Sequence, residues 1–275
     1  MGAAANDPDL LGLSGAVALV TGAARSIGRG CARQLARAGC DVAVVDVADA
    51  HDTVAEIESM GRRSVAIRAD VLDATQVDAM VARVVDALGP FDVAVNTVGG
   101  THPPKPFLDL AVDEWTRVVD LNALATMLCC QAEARSMLAH GVAGRIVNVA
   151  SLSGVVGAPN AVDYGAANAA VLSLTASVAL ELAGSGIRVN CIVPGATWTE
   201  TVREAAQDPK LAGWVSAAEG ASPLGRLAEV DEMGAVAVFL ASQLSSYVTG
   251  QGIVVDGGMV HTTARPPLGR THADA

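Results

Sequence analysis

The stretch TGAARSIGRG, residues 21–30, follows a run of branched apolar residues and leads directly into a helical pattern. Glycine at a strand-to-helix turn lets the backbone approach a pyrophosphate closely. The free N–H groups and the positive end of the helix then attract the anion. Asp46 closes the next strand, about where an acid accepts hydrogen bonds from an adenosine ribose. A glycine-rich turn alone means little, but one that follows a strand, opens a helix and is succeeded by such an acid describes a dinucleotide site. The negative charge of Asp46 favours the two ribose hydroxyls of NAD and opposes the 2′-phosphate of NADP.

Elements of two kinds must position these groups. Short branched-apolar runs, expected as strands, occupy 16–20, 41–46, 64–70, 91–96, 144–150, 186–193 and 252–256. Helical stretches lie between them at about 28–38, 50–60, 74–88, 113–139, 161–184 and 229–242. Strict alternation of this sort forces a parallel sheet covered by helices on both faces. The expected fold class is therefore α/β, a single doubly wound Rossmann domain with a seven-stranded parallel sheet. It spans 11–260, with tails at 1–10 and 261–275. The segment at about 197–226, with Trp198, Trp214, Gly213, Gly220 and Pro223, breaks the rhythm immediately after a strand's carboxyl end. It reads as a mobile substrate lid, or else as an irregular surface excursion.

Composition bounds the function. Of the 275 residues 51% are hydrophobic but only 3% aromatic, which implies closely approaching elements filled by small and branched side chains. The net charge of -11, with no cluster of Lys or Arg, argues against nucleic acid as a partner. Cys31, Cys40, Cys129, Cys130 and Cys191 form no C-x-x-C pair and have no histidine-rich surroundings, so they read as buried thiols and no metal is expected. The start MGAAANDPDL lacks the features of a secretory signal, and no apolar stretch reaches bilayer length without glycine or charge. A cytoplasmic protein without membrane partners is the expectation.

The pattern Thr21-Gly22-x-x-x-Ser26-Ile27-Gly28 resembles the T-G-x-x-x-G-x-G cofactor motif of the short-chain dehydrogenase/reductase family, with Ser26 at the middle glycine. The likeness runs from about residue 13 to 260. Asp70-Val71 is similar to the pair that brackets the adenine, and Asn96-Thr97-Val98-Gly99 to the N-N-A-G turn. Pro194-Gly195 with Thr197 and Thr199 resembles the segment that holds the nicotinamide carboxamide, and Val255-Asp256-Gly257-Gly258 the closing strand. The resemblance implies that Gly22, Arg25, Ser26, Ile27, Gly28, Asp46, Asp70, Val71, Asn96, Gly99, Pro194, Gly195, Thr197 and Thr199 meet the cofactor. Arg25 stands where NADP-preferring relatives often hold the extra phosphate, although an exposed helix-start arginine is an equal reading.

The same resemblance implies that Tyr164 exchanges a proton with the substrate oxygen, that Ser151 hydrogen-bonds that oxygen, and that Asn122 holds a water in the proton path. The fourth family position is a lysine that steadies the tyrosinate and grips the nicotinamide ribose; here it is Asn168. A free tyrosine ionises near ~10, and a cation ~5 Å away at an effective dielectric of ~20 is worth about 3 kcal/mol. Without it Tyr164 should stay protonated at neutral pH, and the neighbouring Asp163 would only raise its pKa. Asn168 can still reach the ribose hydroxyls.

Four readings follow. An NAD-dependent oxidoreductase could draw its cation from elsewhere, from His102 or Lys105 in GGTHPPKP, unless that segment is only a solvated loop. A protonated tyrosine is already the acid that carbonyl reduction needs. Alternatively, a neutral Tyr164 serves a non-redox cyclisation, dehydration or epimerisation; or the chain is a nucleotide-binding scaffold; or Asn168 is an engineered substitution. The pocket is expected to be walled by Gly99, Gly100, His102, Leu152, Ser153, Val156, Ala158 and Trp198, with Ser151, Ser153, His102 and Trp198 against the substrate. That lining suits a small or medium cyclic alcohol or ketone. Helices 113–139 and 161–184 are apolar on more than one face, which with the resemblance implies a homo-oligomer, a dimer or tetramer.

Overall fold

The structure, a computed structural model, describes residues 9–208 and 212–262, apart from the side chains of Ala212 and Trp214. Most of the two expected tails, 1–8 and 263–275, lies outside the described residues.

Seven strands form one parallel sheet: β1 (Val17–Thr21), β2 (Asp41–Asp46), β3 (Ser64–Arg68), β4 (Val93–Asn96), β5 (Arg145–Val149), β6 (Arg188–Pro194) and β9 (Gly252–Val255). Their spatial order is β3-β2-β1-β4-β5-β6-β9. Chain direction across the sheet reverses between β1 and β4, and in doubly wound sheets that point opens a crevice at the strands' carboxyl ends. Pairing puts Thr21 opposite Asn96 and Asn96 opposite Asn148, so one level of the sheet carries three buried polar side chains. The inner strands are apolar on both sides because helices cover both sides.

One covering layer contains α1 (Ser26–Arg37), α2 (His51–Ser59) and α9 (Val230–Ala241), packed on the core around Val20, Val44, Val95 and Ile192. The other contains α3 (Ala74–Leu88), α5 (Ala125–Ala139) and α6 (Val162–Leu182), around Leu19, Met80, Phe91 and Ile146. α1 and α9 touch backbone to backbone at Gly30 and Gly234: a Cβ on either residue would overlap a carbonyl oxygen of the other helix. Salt bridges from Arg33 and Arg37 to Asp231, and from Arg29 and Arg33 to Glu56, bind α1 to its neighbours.

One sequence expectation needs correction. The helix expected at 113–139 is α4 (Val112–Val119) and α5, separated by a wider π turn at Asp120–Leu124. Such bulges mark places where a side chain competes for the helical ladder. Here Asn122 donates to Val118 O (2.7 Å) and to Gly100 O (2.8 Å) outside the helix. The segment expected as a lid is ordered into β7 (Thr197–Trp198), α7 (Glu200–Gln207), α8 (Ala212–Ala221) and β8 (Ala228–Glu229). β7 pairs with β8, so both ends of the excursion are pinned together.

Helix Val162–Ser185 is long and apolar enough, by length and composition, to cross a bilayer, although it contains Asp163 and Gly165. In the fold it lays Ala167, Asn168, Val171, Thr175 and Ala179 inward as one flank. Leu180 on the opposite flank is 79% exposed.

Candidate active site

The glycine-rich turn sits between β1 and α1, as expected. Gly22 has φ +65°, and Ser26, at the middle position of the motif, also takes a left-handed backbone with φ 53°. For a residue with a Cβ this costs roughly 1–2 kcal/mol. The requirement explains why glycine suits the position, and a side-chain bond accompanies the exception: the Ser26 hydroxyl donates to the Glu200 carboxylate at the start of α7. The N-cap residue Arg25 makes no side-chain bond to the first turn of α1, and the Glu200 carboxylate meets the main chain of Ser26 as well as its hydroxyl, so an anion binds at the N–H groups that follow Ser26.

Asp46 lies against the same turn, accepting from Ala24 N (3.0 Å) and from Ala48 N (3.0 Å). A carboxylate has about four acceptor sites, so it retains capacity for ribose hydroxyls. Arg25 is exposed at the turn, and Val71 is buried at the end of the β3 segment beside exposed Asp70. The glycine-rich turn and acid together fit the adenosine and pyrophosphate of a nicotinamide dinucleotide.

Asn96 is more deeply placed than expected of a cofactor contact. It is 2% exposed and donates to Glu133 Oε2 (2.9 Å) and Asn148 Oδ1 (3.1 Å). Asn148 in turn donates to Thr175 Oγ1 (3.0 Å) on α6. This polar peg joins β4, β5, α5 and α6 beneath the crevice. Thr97 supports the same edge by donating to Thr21 O (2.6 Å).

Glu133 is the buried acid that the sequence reading missed. Burial pushes its carboxyl up to about 7 while the bond from Asn96 acts downward, and its Oε1 has no partner. It occupies the i+4 position from Cys129 and the i−4 position from Met137, both buried, so the signal was an acid on the inner stripe of α5. A helix apolar nearly all round conceals that stripe.

The 3₁₀ turn Leu152–Gly154 follows β5, with Ser151 as its cap accepting from Ser153 N (3.2 Å). A Cβ at Gly154 would collide with the backbone of Asn168 and Ala169. Glycine there allows the turn to press on α6, which brings Ser151 beside Tyr164. Burial raises the Tyr164 phenol above its ordinary value, opposed by hydrogen bonding to Ser151 and Asn168. Asn168 is 2% exposed and its Nδ2 donates to the Tyr164 carbonyl (2.8 Å) one turn back.

Asn122 is tied to the loop after β4, accepting from Gly100 N (3.2 Å) as well as donating to Gly100 O. Its main-chain oxygen accepts from Thr126 Oγ1 (2.7 Å). Its amide therefore shapes the crevice wall near Gly99.

The cations considered for Tyr164 have other partners. Lys105 pairs with Glu114 on α4 (2.7 Å to Oε2). His102 does not sit in a solvated loop: its side chain is 6% exposed and faces Asp163. Across the crevice, Thr197 Oγ1 donates to Gly195 O (3.1 Å), and Thr199 caps α7 by accepting from Val202 N (3.3 Å). Arg203 lies 5.4 Å from the Trp198 ring centroid and pairs with Glu229 at 2.8 Å, which joins α7 to the β7–β8 ribbon. The five cysteines are free and buried.

A family model described as enoyl-(acyl carrier protein) reductase matches residues 22–260. The chain is similar to cis-4-hydroxycyclohexanecarboxylate dehydrogenase of Sinomonas cyclohexanicum, 40% identical over 88% of this chain and 95% of that protein. It is likewise similar to L-rhamnose 1-dehydrogenase (NAD(P)(+)) of Sphingomonas sp. (strain SKA58), 38% identical over 90% of this chain and 97% of that one. A crystal structure of NAD⁺-bound xylitol dehydrogenase superposes with a TM-score of 0.84 at 31% identity, covering 90% of this chain and all of that chain, 100%. With the strand order reversing between β1 and β4, the glycine-rich turn and Ser151 set beside Tyr164, the chain belongs to the short-chain dehydrogenase/reductase family.

Proposed function

We propose that this protein is an NAD(H)-dependent oxidoreductase that interconverts the hydroxyl and carbonyl forms of a small to medium, cyclic substrate, with Tyr164 as proton donor. The observation that carries the reading is the phenol of Tyr164 beside Ser151, just past the carboxyl end of β5 in the sheet whose first strand leads into the glycine-rich turn. A bound nicotinamide dinucleotide supplies hydride acceptance or donation. Ser151 and Tyr164 hydrogen-bond the substrate oxygen, and a raised phenol pKa keeps the proton available for delivery to a carbonyl. Asp46 accepts from the ribose hydroxyls, and its charge favours NAD over NADP. Cyclic alcohols are the leading candidates because the expected wall residues Leu152 and Val156 are apolar and the relative from Sinomonas is named for a cyclohexane derivative.

Asn168 stands where the family resemblance puts a lysine, and it brings no charge to the phenol. That favours reduction over oxidation. It also supports a second reading, a non-redox reaction such as dehydration or epimerisation, in which the neutral phenol donates a proton and the dinucleotide is not consumed.

The remaining roles are part of the same proposal. The α7–α8 excursion acts as a substrate lid, and the partly apolar outer flank of α6, with Leu180, pairs copies of the chain into a dimer or tetramer. The protein works in the cytoplasm, with neither nucleic acid nor membrane as partner.

The test follows reduced nicotinamide by its absorbance with a panel of cyclohexanones and cyclohexanols, including cis-4-hydroxycyclohexanecarboxylate. Turnover that Tyr164→Phe lowers by 10²–10⁴ supports the oxidoreductase. Substrate conversion with no change in absorbance selects the non-redox reading instead. Tyr164→Phe with wild-type rates excludes both.

A further inference from the structure

His102 lies in the loop after β4, and each of its ring nitrogens faces an atom that can only accept. Nδ1 is 2.7 Å from the Pro103 carbonyl oxygen and Nε2 is 2.7 Å from Asp163 Oδ2. A neutral imidazole carries one N–H; meeting both acceptors requires two. With Asp163 as a carboxylate the ring carries both N–H groups and is an imidazolium, and the pair is internal, with side chains 6% and 1% exposed. The second carboxylate oxygen, Asp163 Oδ1, accepts from the N–H of Tyr164 at 2.9 Å. One carboxylate therefore grips the loop by one oxygen and the backbone of the proposed proton donor by the other.

We propose that His102, as an imidazolium paired with Asp163, is a positioning residue that latches the loop after β4 onto the first turn of α6 and so holds Tyr164 in register with Ser151. This role rests on Tyr164 being the proton donor. The loop has further anchors on either side: Gly100 on Asn122, and Lys105 N on the Asn160 carbonyl at 3.0 Å. Those anchors hold it to the π turn and to the segment before α6. The His102 bond reaches α6 itself. Both ring nitrogens are engaged, so the imidazole cannot exchange a proton with substrate while the latch is closed. It also answers the charge of Asp163, which alone would oppose ionisation of the adjacent phenol.

The charged groups facing His102 are Asp163 from α6 and Glu114 from α4, and Lys105 of its own loop is paired with Glu114. Lys105 and the Ala111 N–H (3.0 Å) hold Glu114 in place and keep it anionic, its carboxyl lying below the usual range. The Pro103 carbonyl first, then Asp163 and Glu114, raise the imidazole above its ordinary value against the opposing effect of burial. A folded-state value above the unfolded one means that the latch is complete below the free-imidazole range, near ~6.5. It is lost as pH rises through the higher folded value.

The experiment uses the full chain with ¹³C-labelled histidine, the His102 resonance being assigned by its loss in His102→Gln. In the wild type it should stay protonated at pH values where free imidazole has released its proton, and in Asp163→Asn it should titrate at lower pH than in the wild type. With a substrate from the panel, His102→Gln and Asp163→Asn should each lower kcat on the order of 10- to 100-fold, the double variant no further than either single, with KM for the dinucleotide unchanged. The high-pH decline of the wild type should be missing from His102→Gln. If that variant does not fold, Asp163→Asn carries the test through the imidazole titration. A wild-type imidazole that titrates at or below the free value, or additive losses in the double variant, overturns the latch even where Tyr164→Phe abolishes turnover. An active Tyr164→Phe overturns the proton-donor role instead, while the titration still reports on the pair.

Discussion

Tyr164 is held in surroundings that resist its ionisation: burial pushes the phenol up, and the amide of Asn168 donates to a backbone carbonyl where an ammonium would add charge. Asn168→Lys tests this at the scale of one residue. The introduced cation should lower the phenol by about two pKa units, equivalent to roughly 3 kcal/mol. Ultraviolet titration of the tyrosinate measures it, and alcohol oxidation near neutral pH should accelerate while carbonyl reduction changes little. An unmoved titration would show that the phenol does not sense position 168. Much of the residue scale was legible beforehand. Thr21, Gly22, Asp46, Ser151 and Tyr164 lie at strand ends or helix starts, where type and spacing report location. The pairing of His102 with Asp163 was not legible, because 61 residues separate them and only the docking of the loop on α6 brings them together. Glu133 was hidden for a related reason, since its partner Asn96 arrives from another strand.

Elements were read more securely than their interruptions. The seven strand runs and α1, α2, α3, α6 and α9 recur within a few residues of their expected limits, because two-sided burial demands continuous apolar runs and caps leave local marks. The π turn at Asp120–Leu124 left no mark, since inserting one residue into a helical ladder barely disturbs an already apolar pattern. The excursion after β6 was recognised by its length, but the β7–β8 pairing could not be seen in two residues per strand. Its first helix places Glu200 against the glycine-rich turn through Ser26; burial raises the carboxyl, but the Ser26 contacts and Arg25 outweigh it and leave it below its usual value. An anion there opposes a second anion at the start of α1. Glu200→Gln should therefore tighten dinucleotide binding by about 0.3–1 kcal/mol, a two- to five-fold fall in Kd by calorimetry. The gain should shrink at high salt; a gain that salt does not alter points to a steric origin.

For the molecule as a whole, stability should carry the signature of one internal acid. Glu133 rests at about 7 in the fold against 4.5 for an ordinary carboxyl. The native state thus binds an extra proton between those values, and stability falls as pH rises through that window. Glu133→Gln removes the dependence, so its advantage over the wild type should grow from nothing near pH ~4.5 to about 3 kcal/mol by pH ~7. Urea unfolding at several pH values measures it, and parallel curves for the two proteins would contradict the buried carboxyl. Assembly belongs to the same scale. Leu180→Asp should shift the mass by light scattering from oligomer to single chain if α6 supplies the contact, and should leave it unchanged if another face does.

The ribbon formed by β7 and β8 has one further consequence. It brings the entry and exit of residues 199–227 side by side, while α9, which begins where the ribbon ends, is welded to α1 through Gly30, Gly234 and Asp231. The excursion is therefore a cassette plugged into a socket. Exchanging it for the matching piece of a relative should leave the sheet and the α1–α9 pair standing, and Glu200, which reaches the β1–α1 turn, is the one residue of the segment that has to be kept for that turn to be unchanged.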